Sequence, residues 1–146
     1  MALTSFLSKP HQALIVKAIG EAENATSGEI RVHIEPKCKV EDPYQRAIAV
    51  FNKLKMYETQ QRNGVLIYIA YKSHHFAIIG DQGINEKVPA GFWDEEKEIL
   101  AKHLASGDVA KGLCLIIKNI GENLKSYFPH FTNDVNEQSN EISYED

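Results

Sequence analysis

Long apolar runs, clustered basic residues and cysteines are all scarce in this sequence of 146 residues. No stretch approaches the roughly 18 uninterrupted apolar residues of a spanning helix. The start, Met1-Ala2-Leu3-Thr4-Ser5-Phe6-Leu7, has neither a basic n-region nor a signal-length apolar run. The expectation is a cytoplasmic protein with no membrane insertion. The two cysteines, Cys38 and Cys114, are too few and too far apart for a disulfide framework, which fits reduced thiols. A net charge of −4 and the lack of a basic cluster interleaved with aromatics argue against nucleic acid as a partner. Also missing are an internal repeat, a glycine-rich loop ending in Lys-Ser/Thr to cradle phosphate, and a histidine next to a cysteine or serine in a nucleophile-like context.

What is present suits one α/β domain. Hydrophobic residues make up 43% and charged residues 25%, enough for a core without metal or disulfide staples. Ser8 caps a first helix with Pro10 in its opening turn, and Leu14, Ile15, Ala18, Ile19 and Ala22 form its apolar face. Thr26-Ser27-Gly28 ends it. Glu29 to Glu35 alternates with period two, Ile30, Val32 and Ile34 facing inward, and Pro36 stops the strand. Asp42-Pro43 starts a second helix with Tyr44, Ala47, Ile48, Phe51 and Leu54 along one stripe. Gly64 to Tyr71 is almost wholly apolar, as a strand covered on both faces requires. After Lys72-Ser73, residues 74 to 79 return as a hairpin partner.

A loop from Gly80 to Pro89 leads to a third helix over 90–105, and Asp108 opens a fourth carrying Val109, Leu113, Ile116, Ile117, Ile120 and Leu124. The order α-β-α-β-β-α-α predicts an αβα sandwich: a small mixed sheet of about four strands with helices on both faces. A fourth strand is sought in residues 37–39 or 84–88. The domain spans 1–129, and the acidic tail, 130–146, is expected to be disordered.

Topology adds a geometric expectation. A right-handed crossover through the second helix makes the first two strands parallel, so Glu29 and Asn63 start at one edge of the sheet. The hairpin returns Asp81 to that edge. Asn85 and Glu86 follow in the loop, and Asp94 sits in the first turn of the next helix. Carboxylates, amides and carbonyls freed by Gly80 and Gly83 are the ligand set of Ca²⁺ or Mg²⁺. The spacing is not that of an EF-hand. A polar loop capping the third helix, with Asp81 bonded to backbone amides, explains the same residues without a metal.

Three segments resemble the TPM domain family in order and spacing: Glu23-Asn24-Ala25-Thr26-Ser27-Gly28-Glu29-Ile30-Arg31-Val32, Asn63-Gly64-Val65-Leu66-Ile67, and Phe76-Ala77-Ile78-Ile79-Gly80-Asp81-Gln82-Gly83-Ile84. The resemblance covers about residues 7 to 128. It implies an αβα sandwich and two neighbouring loops that hold Ca²⁺ or Mg²⁺, up to two ions: here the approach to Asn63 and residues 80–88. The family includes a thylakoid-lumen protein reported as an acid phosphatase, a photosystem II repair protein and a nematode modulator of acetylcholine receptors. This chain is expected to depart from most members in lacking a signal peptide, membrane helix and Gly/Ser-rich tail, and it has Ser73-His74 where an Asp-Arg type pair is common.

The metal ligand candidates are therefore Asp81, Asn63, Asn85, Glu86, Glu29 and Asp94. The leading reading is a monomeric, metal-responsive binding or regulatory module for a protein partner. The alternative is a metal-dependent acid phosphatase-like hydrolase. A third is a partner-binding domain in which metal only stabilises the fold. Elsewhere, His33 on the outward phase of its strand reads as a surface histidine, and adjacent His74 and His75 point to opposite faces. Phe92 and Trp93 read as packing, Asp94-Glu95-Glu96 as acids meeting a helix N-terminus, and Cys38 as a spectator thiol.

Overall fold

Two apolar stripes of opposite phase on one strand organise the molecule. In β2 (Gly64–Ala70) every residue is buried, because consecutive side chains enter two separate cores. The computed structural model describes residues 2–129 and 142–145. β2 lies between β1 (Glu29–Glu35), parallel to it, and β3 (His75–Gly80), antiparallel. The sheet order is β3-β2-β1-β4, with β4 (Ser143–Tyr144) parallel to β1 at the edge.

On one face, Ile30, Val32, Ile34, Val65, Ile67, Ile69 and Ile78 meet helices α1 (Ala2–Phe6), α2 (Lys9–Glu23), α5 (Phe92–Ser106) and α6 (Val109–Tyr127). Ile15 and Ile19 supply the buried part of α2, whereas Leu14 is exposed, so the stripe is narrower than its sequence suggests. On the other face Leu66, Tyr68, Ala70, Ala77 and Ile79 pack on Ala47, Val50 and Phe51 of α3 (Pro43–Lys53) and on Met56. The expected αβα sandwich and mixed four-stranded sheet are observed.

Capping follows the sequence closely. The Ser8 hydroxyl accepts from His11 N, and Asp42 accepts from Tyr44 N with Pro43 at the first helical position. Both Gly107, which ends α5, and Gly91, which precedes it, have positive φ, where a side chain would be strained.

Four expectations are corrected. The fourth strand is Ser143–Tyr144; residues 84–85 instead belong to a short helix, α4 (Gln82–Asn85), which begins because Asp81 caps it. In the tail that was expected to be disordered, residues 142–145 carry an ordered strand; residues 130–141 and 146 lie outside the described residues. The third long helix starts at Phe92 rather than at 90. His33 is buried at 2% exposure, because α3 and the returning tail cover the face that strand alternation marks as outward.

Candidate metal centre

The parallel register of β1 and β2 pairs Glu29 with Gly64, and the antiparallel register of β2 and β3 pairs Val65 with Gly80. Glu29 N donates to Asn63 O at 3.4 Å and Asp81 N to Gly64 O at 2.9 Å. Glu29, Asn63 and Asp81 therefore meet at one end of the sheet, as the crossover argument requires. All three are buried.

Their bonding differs. Asp81 receives Arg62 in a two-point grip, Nε to Oδ2 at 2.6 Å and Nη2 to Oδ1 at 2.9 Å, and also accepts from Gln82 N at 2.8 Å. Arg62 itself sits at φ +51°, a left-handed conformation that costs a non-glycine residue about 1–3 kcal/mol. Asn63 Nδ2 donates to Ser27 Oγ at 3.3 Å, and the Ser27 hydroxyl donates in turn to Gln61 Oε1 at 2.7 Å. Asn63 Oδ1 is buried with no hydrogen-bond partner among the described residues.

The glycines of the Gly80-Asp81-Gln82-Gly83 turn serve close approach. Neither has positive φ. A Cβ on Gly83 would lie 1.9 Å from Gln61 O and 2.6 Å from Arg62 O, and Gly83 N donates to Arg62 O at 2.8 Å. A Cβ on Gly80 would press on Trp93 and Ile84. The absent side chains let the 80–83 turn lie directly on the 61–63 loop.

The remaining candidates divide. Asn85 Nδ2 donates to Gly80 O and Asn85 Oδ1 accepts from Trp93 Nε1, both at 2.8 Å, so its amide joins α4 to α5. Asp94, exposed in the first turn of α5, lines a cleft of about 320 Å³ with Asn85, Trp93, Tyr44, Asp42 and Lys97. Glu86 is exposed at the C-cap of α4. Among the described residues no group of three or more His, Cys, Asp or Glu is placed to share one ion. An ion at the sheet end would therefore depend on amide or carbonyl oxygen as well as carboxylate.

Residues 2–123 match the family profile of the TPM domain. The chain belongs to the TPM domain family. It is 41% identical to the BA42 protein of the psychrophilic bacterium Bizionia argentinensis, whose NMR structure superposes with a TM-score of 0.87 over 96% of each chain. The N-terminal domain of the cg2496 protein from Corynebacterium glutamicum shares the fold at 14% identity, with a TM-score of 0.65 over 90% of this chain and 81% of that one. A search of curated proteins finds no match.

In this TPM domain the Glu23 to Gly28 segment is a structural clasp. Glu23 Oε2 accepts from Ile30 N at 2.7 Å, joining the end of α2 to β1. The buried Thr26 hydroxyl reaches the Leu124 and Phe128 carbonyls that end α6, and accepts from Gly28 N at 3.0 Å. Gly28 leaves room for Leu124, which a Cβ would meet at 2.7 Å.

A second polar cluster, on the α3 face, was not anticipated. Glu35, fully buried, takes Arg46 in two hydrogen bonds of 2.9 and 2.8 Å and also accepts from Tyr68 and His33. Burial works against its charged form, but the bonds from Arg46, Tyr68 and His33 outweigh it and hold the Glu35 pKa below the usual value. Burial pushes His33 down despite Glu35, and burial together with Glu35 pushes the Tyr68 phenol up. The outward phase of Arg31, His33 and Glu35 was legible in the sequence; that helix α3 would lie over it was the missing piece.

Proposed function

We propose that this TPM domain is a divalent-cation-responsive binding module, Ca²⁺ or Mg²⁺ being held at the sheet end by Asn63 Oδ1 with the Glu29 and Asp81 carboxylates. The observation that supports this reading most is the Asn63 amide oxygen, buried and without a hydrogen-bond partner among the described residues. A buried acceptor left unused costs about 1–3 kcal/mol, and a hard cation uses just such an oxygen. With so few carboxylates the site suits weak binding, in the class of about 10⁻⁴–10⁻³ M.

Arg62 supplies the response. Its guanidinium already neutralises Asp81, so an incoming cation competes with it. Arg62 is the more exposed partner and can swing away, presenting a positive group on the surface only when metal is bound.

Amide NMR titration with Ca²⁺ and Mg²⁺ tests the reading. Shifts are expected at Asn63, Gly64, Asp81 and Gln82, and Arg62→Ala should bind about two- to fivefold more tightly, the worth of a half-exposed ion pair. No shifts at these residues at millimolar metal would overturn it. Turnover of a phosphomonoester by the same sample, lost in Asp81→Ala but retained in a surface control, would replace it with the hydrolase reading.

A further inference from the structure

Strand β3 ends the sheet on the side away from β4. Asp81 N donates to Gly64 O, so by alternation residues 79, 77 and 75 also bond toward β2, and the N–H and C=O of Phe76, Ile78 and Gly80 point outward. Gly80 O is taken by Asn85 Nδ2 at 2.8 Å. The outward groups of Phe76 and Ile78 have no hydrogen-bond partner among the described residues. They form the floor of the cleft of about 320 Å³ that lies between the starts of α3 and α5. Tyr44, 49% exposed, stands on the α3 side. Trp93 stands on the α5 side over Gly80, its Nε1 bonded to Asn85 Oδ1 and its ring centroid 5.0 Å from that of Phe92 in an edge-on contact.

We propose that this cleft binds a purine nucleoside, its base hydrogen-bonded in the plane of the sheet to Phe76 O and Ile78 N and covered on its two faces by Tyr44 and Trp93.

The chemistry of the floor selects the ligand. On an open strand edge the C=O of one residue and the N–H of the residue two positions on lie side by side, an acceptor next to a donor. Their complement is a ring edge with a donor next to an acceptor, which the amino group and N1 of adenine supply. Bonds to a strand edge lie in the plane of the sheet. A ring held by them therefore turns one face toward α3 and the other toward α5, where Tyr44 and Trp93 stand. Length disfavours a polypeptide: with Gly80 O capped by Asn85, only Phe76 and Ile78 keep both groups open, too few for a stable added strand. Charge favours a nucleoside over a nucleotide, since Asp42 and Asp94 line the cleft against one cation, Lys97. Carboxylates accept hydrogen bonds from ribose hydroxyls and repel phosphate. The volume falls within the range of about 300–1,000 Å³ common to small-molecule sites. Glu29, Asn63 and Asp81 do not line this cleft, so the inference stands apart from the cation reading.

Trp93 is the only tryptophan in the sequence, so indole fluorescence reports on this cleft alone. The full chain is titrated with adenosine in the absence of divalent metal, which leaves the cation reading unaffected by either outcome. Saturable quenching by millimolar adenosine is expected, with amide shifts at Phe76, Ile78 and Gly80. Purine riboside, which lacks the amino donor, should bind the unaltered chain about five- to tenfold more weakly, because Phe76 O loses its partner. Adenosine monophosphate should also bind more weakly than adenosine. Tyr44→Ala removes one of the two rings from an exposed position and should weaken adenosine about fivefold or more at an unchanged thermal midpoint. The comparison of ligands on the unaltered chain keeps the test decisive if that variant disturbs folding. Absence of quenching and shifts, equal affinity for purine riboside, tighter binding of the monophosphate, or unchanged affinity in Tyr44→Ala would each overturn the proposal. So would edge shifts produced by an extended threonine–valine peptide but not by adenosine, since the cleft would then be a site of strand addition.

Discussion

At residue scale, Gly83 shows how strictly the candidate site is built. The 80–83 turn and the 61–63 loop touch backbone to backbone, and the approach leaves no volume for a methyl group against Gln61 O. Neither oxygen can yield as a flexible side chain would. Gly83→Ala should therefore cost about 1–3 kcal/mol, the range for overpacking, read as a lower urea midpoint at unchanged slope. The same change should weaken any Ca²⁺ response at Asn63, because the two loops could no longer meet. The sequence marked Gly80-Asp81-Gln82-Gly83 as a special turn, correctly. It suggested bending as the reason, whereas packing is the reason, since neither glycine leaves the ordinary region of φ.

At the scale of elements, α5 and α6 are joined by a polar contact inside an otherwise apolar seam. Glu96, 4% exposed, accepts from Asn119 Nδ2 at 3.2 Å. Burial raises its pKa, Asn119 pulling the other way and the neighbouring Glu95 adding to the rise. A neutral amide keeps the acceptor and removes the desolvated charge. Glu96→Gln should raise the thermal midpoint at neutral pH, by about 0.5–1 kcal/mol in stability, with the advantage shrinking in acid as Glu96 itself becomes neutral. Sequence reasoning assigned Asp94, Glu95 and Glu96 to the positive end of this helix. Asp94 and Glu95 do lie in its exposed first turn, and Glu96 points into the seam. Helical spacing set that difference, but only the position of α6 revealed what Glu96 would touch.

For the whole molecule, the α3-face cluster governs behaviour in acid. His33 is kept below its ordinary 6.5, mainly by burial, so the fold prefers the neutral ring. Its contribution is complete above pH 6.5 and is lost as pH falls through the lowered folded value, where the unfolded chain binds more protons. Glu35 adds a second loss further down: held below 4.5, it stabilises above that value and gives up its share as pH drops through its own folded value. Thermal unfolding across pH should show a plateau near neutrality and a decline starting just below 6.5. His33→Gln should flatten the first part of that decline even if it begins from a lower midpoint. A decline of unchanged shape in the variant would exclude His33 as its source. The cluster also ties residues 142–145 to the domain, since Arg46 bonds both Glu35 and Glu145.

Local chemistry fixed much of this protein in advance. Period-two and 3.6-residue patterns, the Ser8 and Asp42 caps and the short 72–73 connection specify which segments become strands and helices. The chirality of the crossover then brings Glu29, Asn63 and Asp81 to one end of the sheet. These follow from the sequence because they depend on neighbours along the chain or on a general rule of handedness. Whether an outward-facing residue meets water depends on what lies over it. Helix α3 and residues 142–145 come from distant parts of the chain, and they turn His33 and Glu35 from surface positions into a buried cluster. The pairing of Arg62 with Asp81, which makes the acid of the Gly80-Asp81-Gln82-Gly83 turn a gripped carboxylate instead of a free ligand, was likewise decided only in three dimensions.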